Sequence, residues 1–165
     1  MAPLPHDDRS QRERERALAY SLLCRVLDGI DPAPQLAHDA LGAPYLPGHP
    51  GLAVSISHCR QAVAVALNPA GSIGIDIECR RKINPELIRR VCTRQEQAAI
   101  LASDDPEMEF LRYWTRKEAV LKCRGTGIRG FGSMQQALAD SGCHVYDIPC
   151  GIPDTTAAIA ITMAV

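Results

Sequence analysis

At 165 residues, 46% of them apolar and 22% charged, with a formal net charge of −1, the chain is long enough for one domain or two small fused lobes around a real core. The balanced charge argues against a general nucleic-acid binder, and the longest apolar runs, such as 62–67, are strand-sized, which argues against a membrane-spanning segment. Seven cysteines (24, 59, 79, 92, 123, 143 and 150) are odd in number and contain no Cys-x-x-Cys pair; with a charged N-terminus in place of a signal peptide, they read as free thiols of a cytoplasmic protein, not as a disulfide framework or zinc finger.

Residues 1–8 read as a loose leader. An amphipathic helix is expected over 12–27, with Ala17, Leu18, Leu22, Val26 and their neighbours apolar, ended by Asp28-Gly29 and Asp31-Pro32-Ala33-Pro34. Its start is arginine-rich, with four arginines against two glutamates over 9–16, a pattern that by itself describes a solvated helix face. The Gly- and Pro-rich stretch 35–51 reads as irregular. Strands follow at 52–57 and 61–67, joined by His58-Cys59-Arg60, and a turn at Asn68-Pro69-Ala70-Gly71 leads into a third strand at 73–78. Adjacency predicts an antiparallel meander of the three.

From about residue 80 the chain becomes more helical. Asn84-Pro85 opens a short helix to about 91. Thr93-Arg94-Gln95-Glu96 has capping-box spacing and starts another, to about 102. Asp105-Pro106 supplies an N-cap and a first-turn proline for the helix that carries Trp114 to Lys122, stopped by Arg124-Gly125-Thr126-Gly127. Two later strands are expected at 144–148 and 157–163. An α+β protein is expected.

Two segments carry chemistry. In Gly74-Ile75-Asp76-Ile77-Glu78 the alternation of a strand places Gly74, Asp76 and Glu78 on one face and the isoleucines on the other. In Trp114-Thr115-Arg116-Lys117-Glu118-Ala119-Val120-Leu121-Lys122, Glu118 falls within the apolar stripe of the helix, between Leu111 and Trp114. A half-buried carboxylate needs a partner. Three carboxylates with lysines beside them point to a hard divalent cation that holds a phosphate. Each feature also has an ordinary reading: Asp76 and Glu78 as the wet face of an edge strand, Glu118 and Lys122 as an i, i+4 helix pair, Ser57-His58 as a turn, Trp114 as packing.

Taken together these residues resemble the 4′-phosphopantetheinyl transferase superfamily, its Sfp-type branch most closely. The resemblance rests on the Gly-hydrophobic-Asp-hydrophobic-Glu strand at 74–78 and the Trp-x-x-Lys-Glu-Ala-x-x-Lys helix at 114–122. A hydrophobic-Ser-His signature at Ile56-Ser57-His58 and a Gly-x-Gly at Gly125-Thr126-Gly127 add to it, and it extends over roughly 12–163. It implies two similar lobes related by a pseudo-twofold, 1–79 and 80–165, with the active site in the cleft between them. Two lobes in one chain imply a monomer, whereas the short holo-ACP-synthase branch assembles as trimers.

The implied reaction moves the phosphopantetheine arm of coenzyme A to a serine of an acyl or peptidyl carrier protein and releases adenosine 3′,5′-bisphosphate. No nucleic acid or membrane partner is implied. By the same resemblance Asp76, Glu78 and Glu118 hold Mg²⁺, with Mn²⁺ as an alternative, and Glu118, directly or through a metal-bound water, deprotonates the serine. Lys122 offsets charge on the pyrophosphate, and Lys117 lies at the edge of the coenzyme A site. Ser57, His58 and Arg16 meet its 3′-phosphate, with Arg12 and Arg14 leaving the arginine register open. One departure is Gly42-Ala43-Pro44, where relatives often have Gly-Lys-Pro; another is a short region ahead of the first helix. The alternative is a coenzyme A- or carrier-binding module without turnover. A metal-dependent nuclease fits less well, because Glu78 is followed by Cys79 and Arg80 where that class typically has Glu-x-Lys.

Overall fold

The computed structural model describes residues 8–126, 131–139 and 142–163. Their element order is α1 (Asp8–Val26), β1 (Ala37–His38), β2 (Pro44–Tyr45), β3 (Ala53–Cys59), β4 (Ala62–Asn68), β5 (Ile73–Cys79), α2 (Pro85–Val91), α3 (Arg94–Ala102), α4 (Pro106–Cys123), α5 (Phe131–Gln136), β6 (His144–Ile148) and β7 (Thr155–Ile161). The fold is α+β, as expected. The expected leader lies outside the described residues except for Asp8, which already belongs to α1, and Gly127 also lies outside them.

Only part of the expected apolar side of helix α1 is buried. Ala19, Leu23 and Leu27, spaced by four, are buried, and the two leucines pack against Leu46 and Val54; Leu18 and Val26 remain about half exposed. A stripe at i, i+4, i+8 runs along one helix face, and the chain carried enough apolar residues to disguise which stripe it was. Strands β3 and β4 form the expected antiparallel hairpin, with His58 opposite Val63 inside it and not in the turn.

The meander stops there. β5 pairs with β7, more than 75 residues on, in an antiparallel sheet of order β5-β7-β6. The turn after β4 carries the chain across to the end of β7. Asn68 Nδ2 donates to both Ser72 O and Thr162 O, Ser72 N donates to Thr162 Oγ1, and Thr162 N donates to Ser72 O. Gly71 has φ +152°, and a Cβ there would lie 2.2 Å from Thr162 O, so the crossing needs glycine.

The free edge of β5 faces β3, and side chains close the gap in place of a ladder. Ser55 Oγ accepts from Ile75 N at 3.0 Å and Ser57 Oγ from Ile77 N at 3.3 Å. Orphaned buried amides are costly, and two hydroxyls at i, i+2 on one strand face meet two amides at the same spacing.

Helices α2, α3 and α4 start where their capping residues predict. Asn84 accepts from Glu86 N, Thr93 and Glu96 complete the capping box, and Asp105 accepts from Met108 N. Their apolar faces, with Phe110, Leu111, Ile100 and Val91, make one core cluster together with Met134 of α5. Trp114 packs on it, 6.0 Å from the Phe110 ring and under the Arg81 guanidinium. Arg80, at the end of β5, ties three elements: it donates to Asp154 at 2.8 Å and, through both terminal nitrogens, to the α4 cap Asp105. All seven cysteines are free thiols, and no helix among the described residues is long and apolar enough to cross a membrane.

Candidate active site

Helix α4 lies directly against β5, on the strand face that carries Gly74, Asp76 and Glu78. Gly74 makes that approach possible: a Cβ there would stand 2.0 Å from Ala119 O and 2.5 Å from Cys123 N, both backbone atoms of α4. Asp76, two residues along, is thereby brought to Lys122, whose Nζ donates to Asp76 Oδ1 at 2.8 Å and to Ile75 O at 3.0 Å. The same Oδ1 accepts from Ser57 Oγ at 2.8 Å. Glu78, farther along the face, pairs loosely with Arg81 at 3.4 Å.

Glu118, one helical turn before Lys122, is half-buried. Burial, and then the neighbouring Asp76 charge, push its carboxyl up to about 7 against a weaker opposing pull from Lys122. Two buried carboxylate oxygens among the described residues have no hydrogen-bond partner, Asp76 Oδ2 and Glu118 Oε1. Such atoms are costly unless something positive meets them. Hard oxygen donors left without a proton donor fit a divalent cation. The cage is not preformed, since among the described residues no group of three or more His, Cys, Asp or Glu is gathered closely enough to hold a metal, and Lys122 occupies Asp76.

A cleft of about 940 Å³ is lined by Arg12, Arg16, Tyr20, His38, His58 and Ile56, among others. Arg12 and Arg16 share this cleft with His58, whereas Arg14 lines a different, smaller one. His58 Nδ1 lies 3.3 Å from Glu15 Oε2, a partner the sequence did not single out. A second cleft, of about 490 Å³, holds Lys122 with Gly42, Ala43, Pro44 and Thr126, and the two share Gly42, Pro44 and Ile56.

Two residues expected at coenzyme A are placed otherwise. Lys117 is fully buried, pointing away from the cleft into the helical core. Its Nζ donates to Glu96 Oε2 at 2.9 Å and lies within hydrogen-bond distance of three backbone carbonyls, Val91 O, Met134 O and Gln135 O. An ammonium has three protons, and none is left for a ligand. The reason is the 100° step between neighbouring residues of a helix: Glu118 faces β5, and Lys117 faces α3 and α5. Ser57 is also buried, and its hydroxyl is committed to Asp76 and Ile77 N, so it supports the site from inside. A readable signal for that role was present, since Ser55 and Ser57 recur at strand spacing on one face of an otherwise apolar strand.

The chain is similar to known proteins. The family model of the 4′-phosphopantetheinyl transferase superfamily matches residues 72–156, which hold both long motifs. The 4′-phosphopantetheinyl transferase AcpT of Escherichia coli (strain K12) is 36% identical over 132 residues, 75% of this chain and 67% of that protein. The 4′-phosphopantetheinyl transferase HetI of Nostoc sp. is 30% identical over 131 residues, covering 74% and 55%, and Sfp of Bacillus subtilis is 34% identical over 89 residues, covering 53% and 39%. The crystal structure of Thermotoga maritima holo-[acyl-carrier-protein] synthase superposes with a TM-score of 0.47 at 18% identity, over 58% of this chain and 65% of that one. The chain belongs to the 4′-phosphopantetheinyl transferase superfamily.

Proposed function

We propose that this protein transfers the 4′-phosphopantetheine arm of coenzyme A to a serine hydroxyl of an apo acyl or peptidyl carrier protein. The serine oxygen forms a bond to the phosphorus that carries the arm, the pyrophosphate P–O bond breaks, and adenosine 3′,5′-bisphosphate leaves. The observation that carries this reading is the pair of unpartnered buried oxygens, Asp76 Oδ2 and Glu118 Oε1, beside Lys122. Asp76, Glu78 and Glu118 would hold Mg²⁺, or Mn²⁺ with the same oxygen chemistry. Bound there, the cation would offset negative charge on the pyrophosphate.

The chain's own groups divide the remaining work. Lys122 exchanges its contact with Asp76 for the phosphates and offsets charge on the departing bisphosphate. Glu118, which faces β5 one helical turn before Lys122, would accept the serine proton. Arg16 and His58, on one cleft with Arg12, would receive the 3′-phosphate of coenzyme A. The shared lining of this cleft and the Lys122 cleft supports a single extended ligand running from one to the other.

The division into lobes 1–79 and 80–165, related by a pseudo-twofold and enclosing the site, belongs to the same proposal. It is supported by the recurrence of a long helix followed by an antiparallel strand pair, α1 with β3–β4 and α4 with β6–β7. We place the protein in the cytoplasm, in keeping with seven cysteines that form no disulfide, and read it as a monomer on the ground of two lobes in one chain. The test is intact-mass measurement of an apo acyl carrier protein and an apo peptidyl carrier domain, each incubated with this protein, coenzyme A and Mg²⁺, with EDTA as control. A metal-dependent gain of one phosphopantetheine arm supports the proposal. No gain on either carrier, with coenzyme A still bound, favours the non-catalytic binding module.

A further inference from the structure

We infer that Ser57 is a positioning residue for Asp76: it fixes which oxygen of that carboxylate is offered to a cation, and it does so across the unpaired edge between β3 and β5. The inference rests on the proposed role of Asp76 as a cation ligand. A serine hydroxyl has one proton to give. At Ser57 the acceptor side is taken by Ile77 N, at 3.3 Å, and the proton goes to Asp76 Oδ1, at 2.8 Å. The group is 6% exposed, so water does not compete well for it. Lys122 Nζ meets the same Oδ1 at 2.8 Å, and with both donors on one oxygen the carboxylate is held in one rotation. Its other oxygen, Oδ2, is left buried and unpartnered. When Lys122 turns to a phosphate, Ser57 is the donor that stays.

Ser55 is a natural control within the same strand. It closes the same gap two residues earlier, accepting from Ile75 N at 3.0 Å, yet bonds no carboxylate among the described residues. If Ser57 only joined the two strands, losing either hydroxyl would have the same consequence. If it orients Asp76, only Ser57 affects the cation. Groups that orient metal ligands typically contribute 10–100-fold in metal affinity.

The experiment is Mn²⁺ binding followed by electron paramagnetic resonance and by calorimetry, with no carrier protein present, in the wild type, Ser57→Ala, Ser55→Ala and Ser57→Thr, with thermal unfolding of each. Expected is a loss of roughly tenfold or more in Mn²⁺ affinity for Ser57→Ala. Ser55→Ala should stay within about twofold of wild type on the same reasoning, although both alanine variants melt lower, and Ser57→Thr, which keeps the hydroxyl, should recover most of the affinity. Equal Mn²⁺ affinity in Ser57→Ala and wild type, or equal losses in the two alanine variants, overturns the inference. A wild type that binds coenzyme A but no Mn²⁺ overturns the cation reading itself, and the role of Ser57 with it.

Discussion

The carbonyl oxygen of Ala119 stands where a side chain at residue 74 would begin: a Cβ on Gly74 would be 2.0 Å from it. Strand β5 and helix α4 therefore touch through backbone, and this contact brings the Asp76 face to Lys122. Gly74→Ala forces the two elements apart, because neither a helix carbonyl nor the Cys123 amide can rotate away as a side chain would. The expected cost is about 3 kcal/mol or more, a fall in Tm of roughly 6–12 °C for a chain of this size, with transfer activity lost in the fraction that folds. Thermal unfolding and the carrier assay on the same preparation check both. An unchanged Tm would contradict the close contact.

Lys117 and Lys122 belong to one motif and face different ways, Lys117 into the helical core and Lys122 to Asp76. Lys117→Met removes the ammonium and leaves Glu96 and the carbonyls of Val91, Met134 and Gln135 facing an apolar side chain. Breaking a buried ion pair in this way costs about 3–5 kcal/mol. Stability should fall while the folded fraction binds coenzyme A as tightly as wild type. Calorimetric titration at low temperature distinguishes this from a ligand role, which would show lost affinity at nearly unchanged stability.

His58 and the arginines on its cleft give a ligand-specific prediction. His58→Ala should weaken coenzyme A binding roughly tenfold, the size of one charge-assisted hydrogen bond, and leave the binding of 3′-dephospho-coenzyme A nearly unchanged. Equal losses for both ligands would move the 3′-phosphate elsewhere.

Glu118 gives the metal-free protein a pH dependence of definite sign. Burial first, and the Asp76 charge second, raise its carboxyl from the ordinary 4.5 to about 7. Between those values the folded protein keeps a proton that the unfolded chain has released. The stabilisation is therefore complete below about pH 4.5 and is lost as pH rises through about 7. In EDTA, the Tm difference between wild type and Glu118→Gln should shift against the wild type on going from pH 5 to pH 7.5. Parallel Tm profiles for the two proteins would show that Glu118 carries no raised pKa.

Much of this site was legible in the residues, and what was not has a common physical cause. Capping residues mark helix starts locally, so Asn84, Thr93 and Asp105 located α2, α3 and α4. Alternation along a strand is also local, and it put Asp76 and Glu78 on one face. Strand partners are not local: nothing within 73–79 says that β7, and not β4, completes the ladder, and the crossing at Gly71 and Thr162 depends on a residue 91 positions away. The direction of Lys117 was within reach of a helical wheel, but the core that receives it is built from α3 and α5, and α5 itself carried no readable start. Ser57 looked like a ligand because it precedes His58; its spacing from Ser55 on one strand face pointed inward, and the unpaired edge of β5 is what both meet there.

The central claim is that Glu118, set between β5 and Lys122, is indispensable to phosphopantetheine transfer and not merely to the fold. The most direct measurement is single-turnover mass spectrometry of an apo carrier protein with wild type and Glu118→Gln side by side, in coenzyme A and saturating Mg²⁺. The account predicts complete conversion to the phosphopantetheinylated carrier by wild type. For Glu118→Gln it predicts a rate lower by roughly 10²–10⁴, the usual contribution of a general base, with the variant folded and still binding coenzyme A. Conversion by Glu118→Gln at a rate close to wild type would contradict it.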